Sequence, residues 1–291
     1  MVPSGLLTCM ENVMWTPTTR EQHNRRATRY QTDLTDVEWR LIQSHLPAAC
    51  RTGRPRAWPM REIINAIFYV LRGGITWRLL PSDFPPWPTV YRWFAALRDG
   101  SVFEKINHAL VMMDRERAGR EASPSAAIID SQSVKTTEAG ARVATMQGRR
   151  SKGASAMHWS IPKGGRYWSS HIRPTSRTGT AADHCYRSRA PLLPFIKHVW
   201  SDGGYNHERV TTATNIIVEI VSKPPDQVGF AVLPRRWVVE RFFAWISRNR
   251  RLAKDFEATI NSAATFLYAP PPSCSLSGDW PANHEFRNRL S

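Results

Sequence analysis

Apolar residues in Leu34–Leu46 fall at three- and four-residue spacing, with Trp39, Ile42 and Leu46 on one side. Thr35 precedes this stripe and Glu38 lies three residues on, a capping-box pair that predicts a helix start. Met60 to Arg72 is more strongly periodic and runs into Gly73-Gly74, which predicts a helix that stops there. Residues 75–81 read as a short second helix or turn, 85–98 as a helix capped at Thr89, and 101–115 as further helix. Helix, glycine-bearing turn and helix suggest a helix-turn-helix, in which Thr89, Tyr91, Arg92 and Arg98 face a groove or the DNA backbone; an ordinary helical bundle is the alternative.

The period then changes. Residues 126–135 form a short apolar strand that reaches an acid at Asp130, and 196–205 form another that reaches Asp202 before Gly203-Gly204. Asn215 to Val221 is a third, β-branched run. Pro234 then opens a stretch in which Val239, Phe242, Phe243 and Ile246 make one apolar stripe, predicting a helix over 235–252. The charged, small and proline-bearing run at 115–124 marks a domain boundary. Residues 1–33 are polar and irregular and read as a flexible basic arm, with Met10 or Met14 as alternative starts.

Composition narrows the class. Apolar residues at 42% allow a sizeable core, and 40 basic against 24 acidic residues give a net charge of +16. Such an excess points to a polyanionic partner, most simply double-stranded DNA. The four cysteines form no C-x-x-C pair, so a zinc site or disulfide framework is not expected. No apolar run approaches the ~18 residues of a membrane span, and no basic n-region precedes an apolar one. A cytoplasmic, nucleoid-associated protein with no membrane partner is expected.

Three carboxylates carry candidate chemistry: Asp130 and Asp202, each closing an apolar run, and Glu240, alone among arginines. Glu240 has two readings, an ion pair with Arg236 one helical turn back or a metal ligand. Strand-terminal aspartates are commonly turn or cap residues, but at one rim of a sheet they can also gather ligands. Three clustered carboxylates repel one another unless a cation neutralises them, and hard oxygen donors select Mg²⁺ or Mn²⁺. Candidate DNA contacts are Arg54 and Arg56 in the Arg51–Arg56 loop, Thr89, Arg92, Lys135, Arg235, Arg236, Arg241, Arg248, Arg250, Arg251 and Lys254.

The runs Asp130-Ser-Gln-Ser-Val-Lys, Asp202-Gly-Gly-Tyr and Leu233-Pro-Arg-Arg-Trp-Val-Val-Glu-Arg-Phe-Phe-Ala-Trp closely resemble DDE transposases of bacterial insertion sequences, in particular the insertion-sequence-five group. The stretch from Tyr30, Gly53-Arg-Pro-Arg and Arg72-Gly-Gly-Ile-Thr-Trp-Arg-Leu-Leu-Pro resemble the same group, so the likeness covers roughly 14–141 and 191–269. It implies an α+β or α/β chain: a helical helix-turn-helix-like domain at 34–120, then an RNase H-like mixed-sheet catalytic domain at 124–269. It assigns catalysis and metal binding to Asp130, Asp202 and Glu240, with Mg²⁺ or Mn²⁺ as cofactor. It also implies a homo-oligomer when two DNA ends are brought together.

Residues 142–190 and 270–291 depart from that group and show neither a period of 2 nor of 3.6. Met157-His158-Trp159 admits few codons, and starting each codon one base earlier yields a segment resembling the missing one. The same shift after Ala269 yields a closing helix. The expectation is a frameshifted gene, with 142–190 aberrant and disordered, 270–291 an aberrant tail, and strand transfer impaired. Two other functions stay open: a non-catalytic DNA-binding remnant of residues 34–115 that represses an intact copy, and a general RNase H-like nuclease.

Overall fold

A computed structural model of the chain describes residues 29–49, 55–135, 153–160, 167–172, 195–201, 216–221, 246–254 and 256–269; for 129–135, 153–160, 167–172, 201 and 260 it describes the backbone alone. Helix α1 spans Asp36–Ile42 and starts as its sequence demands. The Thr35 hydroxyl accepts the Glu38 N–H at 3.3 Å, and the Glu38 carboxylate accepts the Thr35 N–H at 2.8 Å. Helix α2, Met60–Gly73, buries Ile63, Ile64, Ile67, Phe68, Val70 and Leu71 completely. It ends at Gly74, whose φ of 67° is left-handed and whose N–H returns to the Val70 carbonyl.

Helix α3 covers Trp87–Asp99 and α4 covers Val102–Arg117. Thr89 is therefore not the cap of α3. Pro86 holds that position, Pro88 follows in the first turn where its missing N–H is not needed, and the Thr89 N–H already bonds the Pro86 carbonyl. Residues 74–86, with a 3-10 turn at Trp77–Leu79, separate α2 from α3. That connection is longer than the three- or four-residue turn of a helix-turn-helix.

Residues 29–33 do not belong to a flexible arm. Tyr30 stacks on Phe84 at 5.1 Å and meets Tyr69 edge-on at 4.7 Å. Arg29 donates to Glu62 at 2.7 Å and lies 4.3 Å over the Phe84 ring. These contacts fix residues 29–33 to the helical unit.

Five strands form one mixed sheet in the order β3-β2-β1-β4-β5. They are β1 Ala126–Lys135, β2 Gly153–Ser160, β3 Tyr167–Ile172, β4 His198–Ser201 and β5 Ile217–Ile220. The central β1 pairs antiparallel with β2 and parallel with β4. Ala127 and Val199 are fully buried beneath the sheet, while β5 alternates between exposed and half-buried positions, so its other face is solvated.

Two expectations are corrected here. Strand β1 does not stop at Asp130: it continues to Lys135 because β2 supplies partners that far, with Asp130 opposite His158. The stretches 153–160 and 167–172 lie inside the segment expected to be aberrant, yet they pair with each other and with β1. Ladder hydrogen bonds join backbone groups and need no apolar alternation, and Trp159, Tyr167 and Trp168 are good strand formers.

The end of the described chain returns to the helices. Ile246 is helical, but the chain then turns and forms a 3-10 turn at Arg250–Leu252, so helix does not run to 252; residues 235–245 lie outside the described residues. Helix α5, Ile260–Tyr268, follows. Its Phe266 is 1% exposed and stacks on Phe94 at 4.6 Å and on Trp77 at 5.9 Å. Residues expected in the catalytic domain thus complete the core of the helical unit.

Candidate active site and nucleic-acid interface

The carboxylates are approached from the sheet. Ala126, Ala127 and Ile128 pair with His198, Val199 and Trp200, and there the described parallel ladder between β1 and β4 ends. Asp130 lies two residues beyond it on β1, and Asp202 directly follows Ser201, the last residue of β4. Asp202 and Glu240 themselves lie outside the described residues. Among the described residues no group of three His, Cys, Asp or Glu side chains could hold a metal ion.

One polar cluster sits on the solvated face of the sheet. His198 Nε2 and Trp200 Nε1 both lie 2.8 Å from Glu219 Oε2. His198 is a half-buried strand residue, within the run 196–205 that the sequence predicts as a strand. Glu219 gave no sequence signal, because its partners come from a different strand.

The candidate DNA contacts divide by accessibility. Arg56 is exposed, with its guanidinium 5.6 Å over the Trp93 ring. Arg92 is exposed on α3, and Thr89 is half-buried in its first turn. Lys135 ends β1, opposite Gly153. Arg248, Arg250 and Lys254 are exposed. Arg54, Arg235, Arg236 and Arg241 lie outside the described residues.

Two arginines are committed elsewhere. Arg251 is 8% exposed; its Nε pairs with Glu257 at 2.6 Å and its NH1 donates to the Ile75 carbonyl at 2.9 Å. It cannot reach a phosphate without giving up both of these partners. Arg98 bonds Asp99 at 2.8 Å and the Ser262 hydroxyl at 3.1 Å, tying α3 to α5. Its pKa is raised, chiefly by the Asp99 hydrogen bond, which outweighs partial burial.

Sequence reasoning missed other cations. Arg72, at the end of α2, donates to the Arg248 carbonyl at 2.9 Å. Arg78 lies 5.5 Å over the Trp87 ring. The pattern of α2 shows Arg72 as a last-turn cation, but its neighbour across 176 residues has no local signature.

Among the described residues no helix is long and apolar enough to cross a membrane. No curated protein and no solved structure matches the chain. Residues 34–107, from α1 into the start of α4, match the family model described as "Putative transposase of IS4/5 family (DUF4096)", and this match supports a transposase of the IS4/5 type.

Proposed function

We propose that the chain is a DDE transposase, cleaving DNA and joining strands at the ends of an insertion sequence, with Asp130, Asp202 and Glu240 as its carboxylates. One observation carries the reading: the β1–β4 ladder pairs residues 72 apart, Ala126 with His198 and Ile128 with Trp200, and Asp130 and Asp202 are also 72 apart. Continued by two residues, that register would set the two aspartates level on adjacent parallel strands. Side chains alternate along a strand, so they would share the face of Ile128 and Trp200. The mixed sheet around β1 supports an RNase H-like domain.

Two carboxylates that close disfavour each other's ionisation, and a divalent cation removes that conflict. Oxygen donors of this kind fit Mg²⁺ or Mn²⁺. When bound, such ions activate a water or 3′-hydroxyl and stabilise the leaving oxygen of a phosphodiester. The protein's own share is to hold the DNA still. Exposed Arg56, Arg92, Arg248, Arg250 and Lys254 can meet backbone phosphates, and the net charge of +16 draws duplex DNA in. Two ends joined in one reaction call for more than one copy of the chain.

The test is incubation of the full chain with DNA carrying the element's terminal repeats and Mn²⁺. Divalent-dependent cleavage should be detectable but weak, and Asp130→Asn, Asp202→Asn or Glu240→Gln should each abolish it while DNA binding persists; efficient cleavage would refute the impairment. Full cleavage by any of the three variants overturns the assignment of that carboxylate. A second reading, a DNA-binding remnant without catalysis, is favoured by the missing apolar period in 142–190; binding with no divalent-dependent cleavage would select it. Frame changes near codons 142, 190 and 269 are the proposed origin of that segment and would reduce strand transfer. The nucleotide sequence decides: if no single-base insertions or deletions there restore one frame, the idea is wrong.

A further inference from the structure

The chain after Ile246 meets the end of α2 closely enough to exclude a side chain. A Cβ on Gly74 would lie 2.8 Å from the Arg250 Cβ and 3.1 Å from its carbonyl carbon. Beside it, the Arg72 guanidinium holds the Arg248 carbonyl at 2.9 Å. The chain at Arg248 and Arg250 therefore meets Arg72 at the C-terminus of α2, whose carbonyl dipoles favour positive charge. Among the described residues none of Arg72, Arg248 and Arg250 has a carboxylate partner, although arginines elsewhere in the helical unit, such as Arg29 and Arg61, do.

What fixes this arrangement is buried. Arg251 reaches the Ile75 carbonyl, one residue past Gly74, and Glu257 on the chain that leads to α5. Its guanidinium also lies 5.6 Å from the centre of the Phe256 ring and 5.8 Å from that of Phe266. A guanidinium can serve all these partners at once because its donors form a planar fork; a lysine ammonium cannot.

We propose that Arg72, Arg248 and Arg250 form a composite phosphate-binding site for duplex DNA, and that Arg251 is its positioning residue. This rests on the transposase reading and adds where the backbone is gripped: at a seam between residues far apart in the sequence, beyond the matched helices alone. Like charges held together gain most from an anion with closely spaced charges, and duplex DNA presents one about every 1.7 Å of its axis.

The experiment uses the full chain and a fluorescein-labelled 30-base-pair duplex of mixed sequence, with affinity measured against salt and no divalent metal. Arg72→Gln and Arg250→Gln should each weaken binding about threefold to tenfold and lower the slope of log affinity against log salt by about one. Arg40→Gln, an equal loss of charge on α1, should leave both close to wild type. Arg251→Lys keeps the charge yet should weaken binding as much as Arg250→Gln, at a temperature where circular dichroism shows the fold intact. Should Arg251→Lys not fold, Glu257→Gln serves in its place, with the same expected loss of slope.

If the Arg72 and Arg250 variants match the Arg40 variant, the site is wrong. If the positioning variant lowers only the melting temperature and leaves the salt slope unchanged, Arg251 is structural and that part fails. A chain that shows these effects but never cleaves DNA leaves the site standing and sinks the catalytic reading instead.

Discussion

At Asp33 burial outweighs favourable neighbours. Loss of water raises its pKa above the ordinary 3.8, despite the Tyr30 N–H and the charge of Arg29, and the acids Glu62 and Asp83 push the same way. The folded chain therefore holds this proton at a pH where the unfolded chain has released it. Between those two values the folded state binds more protons, so this group's contribution to stability falls as pH rises through the window. Replacing it by Asn removes the titration. Urea unfolding of Asp33→Asn and wild type between about pH 3 and 6 should show the difference growing in the variant's favour as pH rises, and a constant difference would refute the assignment. The sequence shows Thr35 and Glu38 as a capping pair because their partners lie three residues apart. It cannot show that Asp33 is buried beside Arg29, because that depends on Tyr30 docking against Phe84 and Tyr69.

Elements with a strong period of their own were legible, and those defined by remote partners were not. The apolar face of α2 and its glycine stop follow from spacing alone. Strands β2 and β3 do not, because their pattern is irregular and β1 provides the template. Helix α5 is the clearest case: Phe266 is apolar in any reading, but only the structure seats it against Phe94 of α3 and Trp77 of the 3-10 turn. Phe266→Ala should cost about 3–5 kcal/mol, since it opens a cavity against Phe94 and Trp77. Thermal unfolding checks this; a loss under about 1 kcal/mol would mean that the stack is not part of the core. Of the candidate site, the two aspartates were legible as ends of apolar runs. The β1–β4 register that leads toward them was not, because strand pairing is a property of two distant segments.

At the scale of the whole molecule, the helical unit is assembled from both sides of the sheet. Contacts such as Arg98 with Ser262 and Arg251 with Ile75 span 164 and 176 residues. The DNA-binding remnant imagined as residues 34–115 would lack Phe266, Tyr268 and Ala269, all in its core. A fragment of residues 29–117 should therefore bind a hydrophobic dye and unfold without a sharp transition, while the full chain does neither. A cooperative transition in the fragment would show that α1–α4 stand alone.

The seam at Gly74 also sets an order in time. During synthesis the four helices emerge first, but the chain that closes their core is made only after the whole sheet. Until then Trp77 and Phe94 have no Phe266 to stack on, and Arg72 has no carbonyl at residue 248 to hold. On the proposed reading, a growing chain reaches its full grip on DNA only when the proposed catalytic segment already exists. Chains cut short by an early stop or a lost frame are left with an open core, which is a target for proteases and chaperones.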